Sequence, residues 1–228
     1  MKFIKIFEIF AINFLIVVSQ QLNLKQQCND IKAFFTNNQI ITTENKNSCC
    51  GVFEISCGAD KNNVNTVKFR TFEPKIIDFT QFPAVQNIEI IATSNILFNN
   101  NQLPKLLLDP NLKELDILNS NLNVVPNDIA NLMKLEKLMI NDSKITSVPY
   151  FLKNLPNLKY LSIRNNTMTI SLTNEMSEFK TLETLDISVN RFEEPLVLPL
   201  NLKILKMEGC RMKTLDTEML KQLHLEYK

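Results

Sequence analysis

Glycine is nearly absent from this sequence, and tryptophan is missing altogether. Gly51, Gly58 and Gly209 are the only glycines in a chain of 228 residues. Turns must therefore come from Asn, Asp and Pro. Asparagine is abundant, and much of it directly follows a short apolar run. The composition predicts a chain that turns often, and mostly on asparagine.

The sequence also lacks a charge excess and has a single histidine. Lys and Arg total 25 against 24 for Asp and Glu, whereas nucleic-acid binding needs a surplus of cations. The one histidine, His224, has no nucleophile arrangement near it. Asp116 and Asp186 are three strands apart in the repeat described below, too far to cooperate. We therefore expect no nucleic-acid partner, no enzyme activity, no cofactor and no metal site.

No apolar run is long enough to span a membrane, which takes about 20 residues. The longest, residues 6–18, follows Lys2 and Lys5, a pattern typical of a secretory signal peptide. We predict a signal peptide over residues 1–19 and no membrane span after its removal. An uncleaved anchor and a buried helix are the alternatives. Both membrane interpretations leave the remainder secreted or at the cell surface.

Four of the five cysteines lie close together: Cys28, Cys49, Cys50 and Cys57. In a secreted chain they predict two disulfide bonds. A bond between the adjacent Cys49 and Cys50 would be strained, so two pairings stay open. Zinc is the rival, but no histidine lies nearby and the spacing is not that of a zinc finger. The fifth, Cys210, is predicted to be a buried structural residue of the repeat.

A repeating unit of the form L-x-x-L-x-L-x-x-N-x-L runs from residue 112 onward. Its starts are 23, 23, 24 and 20 residues apart, and units of this length and pattern resemble the leucine-rich repeat. Five units fill key positions 1, 4, 6, 9 and 11 as follows: Leu112, Leu115, Ile117, Ser120, Leu122; Leu135, Leu138, Ile140, Ser143, Ile145; Leu158, Leu161, Ile163, Asn166, Met168; Leu182, Leu185, Ile187, Asn190, Phe192; and Leu202, Leu205, Met207, Cys210, Met212.

Two weaker units precede these five, and a last one starts at Leu223 and is incomplete. The first weaker unit begins Val64, Val67, Phe69, with Phe72 where a polar residue belongs. The second begins Val85, Ile88, Ile90, with Thr93 or Asn95 at position 9. Between units, Pro104, Pro126 and Pro149 predict extended or 3-10 segments.

The spacing has a direct physical meaning. Positions 4 and 6 alternate as in a short strand, and the side chain at position 9 turns inward to pair backbone groups of the neighbouring unit. Leaving such a group unpaired costs about 1–3 kcal/mol. We predict an α/β solenoid: a leucine-rich-repeat right-handed superhelix with a concave parallel β-sheet and an irregular or 3-10 convex side. The predicted cap covers residues 20–63, about seven repeats cover 64–222, and 223–228 begin another.

The segment from Cys28 to Cys57 resembles the N-terminal cap of extracellular (L domain-like) leucine-rich-repeat proteins, such as plant polygalacturonase-inhibiting proteins and receptor-kinase ectodomains. In that family a short helix follows the first cysteine. Asp30 fits its start here, and Ile31, Phe34 and Phe35 fit its apolar face. The resemblance implies the pairs Cys28–Cys49 and Cys50–Cys57. The chain lacks the family's G-x-I-P element, so polygalacturonase is not carried over as a target.

A partner is expected on the outward side of the strands. Leu118, Met139, Tyr160 and Arg164 fall there in the middle units, and such residue types anchor interfaces. We expect a protein or peptide ligand, with a glycan as a further option. A self-assembling structural component, associating through an open C-terminal edge, and a truncated receptor ectodomain are the alternatives. Asn141 and Asn165 begin N-x-S/T signals, which predicts a glycoprotein.

Overall fold

The computed structural model describes residues 24–40, 55–57, 64–83, 85, 87–169, 174–192, 197–210 and 226–227. Within these ranges, one helix packs on one end of a sheet whose strands follow one another in chain order. The helix is α1 (Leu24–Asn37). The strands are β1 (Ile55–Cys57), β2 (Val64–Ile76), β3 (Ile90–Leu97), β4 (Glu114–Leu118), β5 (Lys137–Asn141), β6 (Tyr160–Ser162), β7 (Thr184–Asp186), β8 (Ile204–Lys206) and β9 (Glu226–Tyr227).

Strands β2 to β9 are parallel, and β1 pairs antiparallel with β2 at the start of the sheet. Neighbouring repeats pair residue for residue. Leu115 faces Leu138, which faces Leu161, and the same row continues through Leu185 and Leu205. All five are fully buried. The register confirms the solenoid predicted from the repeat.

The core is a stack of identical layers. Ile117, Ile140, Ile163 and Ile187 form one inward row, each with 0% of its surface exposed. Burying such a side chain contributes roughly 1.5–3 kcal/mol, largely offset by the lost freedom of the chain. No single unit could hold its own apolar side chains away from water, so each repeat depends on its neighbours.

Position 9 ties one repeat to the previous one. The Asn166 amide donates to the Ile140 carbonyl at 2.8 Å and accepts from the Ile145 N–H at 2.9 Å. Asn190 makes the same bond to the Ile163 carbonyl, also at 2.8 Å. At the last such corner the Cys210 thiol donates to the Ile187 carbonyl at 3.2 Å. These are the inward polar contacts that the repeat pattern predicts.

In six successive repeats, from the one that starts at Ile88 onward, position 8 lies in the left-handed region. Asn95, Asn119, Asp142, Asn165, Val189 and Gly209 all have φ between 49° and 66°. Asparagine, aspartate and glycine tolerate this conformation, but a β-branched residue does so only under strain. Asn119 donates through its amide to the Asn95 side chain at 2.6 Å, and Asn165 donates likewise to Asp142. The abundance of asparagine thus serves the turns at the end of each strand.

The predicted register of the second weak unit is wrong by three residues. Ile90 pairs with Glu114, which holds position 3 of its unit. The unit therefore begins at Ile88, with Ile91 at position 4 and Thr93 at position 6. Adjacent isoleucines at 90 and 91 allowed either frame in the sequence. The stacking decides, because Ile88 and Ile91 are fully buried whereas Ile90 lies on the outer face.

The first weak unit has the predicted register, but its corner differs. Phe72, at position 9, is 80% exposed, because strand β2 runs on past the corner and its pairing with β3 shifts after Arg70. Thr71 turns inward instead. Its hydroxyl donates to the carbonyls of Glu73 and Asn95, at 2.9 and 3.0 Å.

The cap helix buries the predicted side chains but starts earlier than predicted. Ile31, Phe34 and Phe35 are all at most 4% exposed, and the two phenylalanine rings pack against Phe69. The helix begins at Leu24 rather than near Asp30, because residues ahead of Asp30 continue the same helical turn. Asp30 instead accepts a hydrogen bond from the Gln26 amide at 2.7 Å.

The return segments carry the predicted short 3-10 helices. They are Lys105–Leu108, Asn127–Asn131 and Tyr150–Asn154, and each follows a proline that occupies its N-cap. Each helix buries one apolar residue in the core, namely Leu107, Ile129 or Leu152. Within the described ranges, no helix has the length and apolar content needed to cross a membrane.

Candidate ligand-binding face

The face of the sheet turned away from the core, called the concave face below, carries positions 3, 5 and 7 of each repeat. Alternation along a strand dictates this, because positions 4 and 6 point inward. Position 5 runs across neighbouring strands as Lys68, Ala92, Asp116, Met139, Ser162, Asp186 and Lys206. Rows like this decide what the face can bind.

Three of the four residues proposed from the sequence lie on one diagonal of the concave face. Leu118 ends strand β4, Met139 is in the middle of β5, and Tyr160 starts β6. Leu118 is 38% exposed, and the other two are half-buried. Diagonal neighbours on adjacent strands are within reach of long side chains. The fold therefore places the three residues in one diagonal row of the same face.

Arg164 lies apart from this diagonal. It follows the end of β6, four residues beyond Tyr160, which corresponds to about 13 Å of extended chain. Its side chain is exposed, and its backbone N–H donates to the Asn141 side chain at 2.9 Å. It is at the edge of the face, where a ligand covering the diagonal would have to extend to meet it.

Tyr160 has a cationic environment. The Lys137 and Lys206 ammonium groups lie 5.5 and 6.0 Å from its ring centre. Lys137 also pairs with Glu114 at 2.7 Å. Lysines near an aromatic face interact favourably with it, so the two ammonium groups restrict the orientation of the Tyr160 ring.

A shallow trough of about 600 Å³ lies on the concave face over the first repeats. Strand β2 gives it Lys68 and Arg70, β3 gives it Ala92 and Ser94, and β4 gives it Glu114, Asp116 and Leu118. One wall is thus cationic and the other anionic, with small residues between them. Leu118 is the one residue that the trough shares with the diagonal.

Sequence reasoning missed the trough because the frame of the second unit was wrong. That frame assigned Glu89 and Ile91 to the outer face in place of Ala92 and Ser94, which hid the small residues of β3. Ile91 is in fact fully buried, and Glu89 forms an ion pair with Lys113 at 2.7 Å. The available signal was the 24-residue distance from Ile88 to Leu112, which fits the later spacings.

Asp116 is the residue of the trough whose ionisation is most perturbed. Burial is the main cause that raises the pKa of Asp116 from 3.8 to about 6. The positive charges of Lys137 and Lys68 oppose this rise, whereas the negative charge of Glu114 adds to it. Within the described chain its carboxylate accepts no hydrogen bond. A half-buried carboxylate without a donor is the group that a ligand cation would neutralise.

Asp116 and Asp186 lie on β4 and β7, so the structure keeps them three strands apart. Asp186 accepts the Ser188 N–H at 3.1 Å. His224 falls outside the described residues. Across the described chain no cluster of His, Cys, Asp or Glu could hold a metal ion.

Of the predicted disulfide cysteines, Cys28 is 2% exposed in helix α1, and Cys57 ends β1. Cys49 and Cys50 lie outside the described residues, as does the predicted signal peptide. Both predicted glycosylation asparagines are described. The Asn141 side-chain oxygen accepts from the Ser162 hydroxyl at 2.8 Å, whereas Asn165 is exposed at the rim.

Residues 133–192 match the leucine rich repeat family. No curated protein gives a significant match to the chain. Among solved structures, a plant ice-binding protein is similar with a TM-score of 0.60 at 19% identity, over 90% of this chain and 77% of that one. Pollen Receptor Kinase 3 is similar with a TM-score of 0.57 at 19% identity, over 81% of this chain and 96% of that one.

An internalin, inlF, from Listeria monocytogenes has a TM-score of 0.50 at 18% identity and covers 62% of this chain. The chain spans only 41% of that internalin and 43% of the leucine-rich-repeat protein LIC12759 from Leptospira interrogans. At these identities the likeness concerns the fold. Together with the match over residues 133–192 and the register of the strands, it identifies the chain as a leucine-rich-repeat solenoid.

Proposed function

We propose that this protein is a non-catalytic extracellular binding module, which recognises a protein or peptide ligand on its concave face. The observation that carries the proposal is the diagonal of Leu118, Met139 and Tyr160. These large side chains stand half-buried or exposed on a rigid sheet. Aromatic and Met residues held in this way contribute much of the binding energy in protein interfaces.

The fold itself favours binding over chemistry. Each concave position repeats from strand to strand, so the face offers a broad surface rather than a closed pocket. The two acids first considered for catalysis lie on strands β4 and β7, and catalysis by paired carboxylates requires them to flank one reacting bond. Assays of hydrolase activity on purified protein should accordingly show none.

An extracellular location is part of the proposal. It rests on the predicted signal peptide at residues 1–19 and on the four cap cysteines, for which we propose the pairs Cys28–Cys49 and Cys50–Cys57. Mass spectrometry of the secreted protein under non-reducing conditions tests three things together: the first residue of the mature chain, the pairing of the cysteines, and any glycan on the two asparagines. Of the two acceptor asparagines, we propose Asn165, because it is exposed at the rim whereas the Asn141 oxygen is held between two donors.

Affinity capture from extracellular material tests the binding surface. The variant Tyr160→Ala with Arg164→Ala removes one aromatic and one cation from the concave face. Its matched control is Tyr150→Ala with Arg191→Ala, which removes the same residue types from positions outside that face. We expect the first variant to lose the captured ligand and the control to retain it. Equal capture by both variants would contradict the proposed surface.

A further inference from the structure

The trough on the concave face has walls of opposite charge. Lys68 and Arg70 line it on β2, and Glu114 and Asp116 line it on β4. The strand between them presents Ala92, whose small side chain leaves the floor open. A ligand of a single charge sign would meet repulsion from one wall, which excludes polyanions and polycations as good occupants.

Two of the four charged side chains, Asp116 and Arg70, are suited to bind a ligand group. Glu114 is already paired with Lys137 at 2.7 Å, but Asp116 accepts no hydrogen bond within the described chain. On the other wall Arg70 is exposed, and its planar guanidinium suits a carboxylate. A ligand would therefore place a cation at Asp116 and an anion at Arg70.

The distance between the walls limits the ligand further. Neighbouring strands lie about 4.8 Å apart, so β2 and β4 are separated by roughly 10 Å. The register places Arg70 opposite Leu118, two residues along from Asp116, so the two charged positions lie roughly 12 Å apart on the diagonal. An extended chain advances about 3.3 Å per residue. Because alternate side chains of such a peptide point to opposite sides, residues four apart, about 13 Å along the chain, match this distance and face the trough together. Because Leu118 borders the trough, an apolar residue next to the basic one would also find a contact.

We propose that the trough binds an extended peptide lying across the strands, with a basic and an acidic residue four positions apart. The basic side chain binds Asp116, and the acidic one binds Arg70. This inference rests on the proposed function, since it names the ligand class of the same concave face. It also explains why a carboxylate is kept half-buried on the face without a hydrogen-bond donor.

Fluorescence polarisation with synthetic peptides provides the test. The probes are short end-blocked peptides of Pro and Ser that carry Arg and Glu four residues apart, in both orders. The comparison peptides carry Arg and Glu adjacent, two Arg, or two Glu. The protein variants are Asp116→Asn and Arg70→Gln. Their matched controls are Glu136→Gln and Arg191→Gln, which change an exposed acid and an exposed cation outside the trough.

We expect the peptide with opposite charges four residues apart to bind most tightly in one of its two orders. Each trough variant should weaken that binding by about tenfold or more, since a charged hydrogen bond is lost, and the controls should not. Because Arg70 is exposed on the opposite wall, its variant tests the site independently of Asp116.

Equal binding of all peptides, unchanged binding by both trough variants, or no binding at all would overturn the inference. The proposed function has its own readout. Capture that still depends on Tyr160 and Arg164 while no peptide binds would refute the trough and leave the binding module standing. If capture did not depend on Tyr160 and Arg164 and no peptide bound, both the trough and the binding module would be refuted.

Discussion

Replacing Asp116 with asparagine should stabilise the protein at neutral pH and leave its stability in acid unchanged. The carboxyl has a pKa of about 6 in the folded protein, against 3.8 ordinarily. Between these values the native state binds more protons than the unfolded chain. The free energy of unfolding therefore falls as pH rises from about 4 to about 6, and it levels off above that. An asparagine at this position carries no such pH-dependent cost.

The size of the effect follows from the same values. One pKa unit corresponds to about 1.36 kcal/mol, so the full difference would amount to about 3 kcal/mol. Because part of the Asp116 side chain contacts water, we expect less, about 1–2 kcal/mol at pH 7. Below pH 4 the two proteins should have equal stability, since both carry a neutral group there.

Urea unfolding at several pH values between 4 and 7 measures this difference, with Glu136→Gln as the matched control. Glu136 is exposed, so its variant should track the wild type throughout. A difference between Asp116→Asn and the wild type that did not vary with pH would refute the reasoning, as would a loss of stability at pH 7. Either result would mean that a donor or a bound cation satisfies the carboxylate in the folded protein.

Three further substitutions test the repeat itself. Thr93→Val should raise the free energy of unfolding by about 1 kcal/mol, because the buried Thr93 hydroxyl has no partner in the described chain. Thr71→Val removes a bonded hydroxyl and should lower the free energy of unfolding. If urea unfolding showed that both variants change the stability in the same direction, this reasoning would be contradicted. Val189→Asn should stabilise the folded protein by about 1 kcal/mol, since asparagine tolerates the φ of 58° at this position better than valine does. An unchanged melting temperature would count against backbone strain at Val189. Asn190→Ala should lower the free energy of unfolding by about 2–3 kcal/mol or more, because it leaves the buried Ile163 carbonyl without its hydrogen bond. A loss of stability below about 1 kcal/mol would mean that water replaces the amide.

The fold could be predicted where each unit shows both its leucines and its corner residue. In the units starting at Leu112, Leu135 and Leu158 the apolar positions and the inward polar residue agree on one frame. Around Ile88 to Ile91 these two signals do not agree on one frame. Three isoleucines allow two frames there, and position 9 of the correct frame is the apolar Ile96. Only the pairing with strand β4 separates the frames, and this pairing is a long-range contact that local pattern does not contain.

The candidate site was predictable in part for the same reason. Leu118, Met139 and Tyr160 lie in units with a secure frame, so their place on the outer face followed from alternation. The trough needed the correct frame of the uncertain unit. The high pKa of Asp116 was not accessible from sequence either, since it depends on burial and on charges from strands β2 and β5 that meet only in the folded sheet.

The corner residues also set where the stack comes apart. Asn166 and Asn190 each donate to the coil before them and accept from it, whereas Cys210 has only a thiol, which is a weak donor and a weak acceptor. The contacts of Cys210 therefore hold its coil to the previous one less strongly than the amides of Asn166 and Asn190 do. Unwinding should begin there and run toward the amino-terminal end, so backbone amides around strand β8 should exchange with solvent sooner than those of β5.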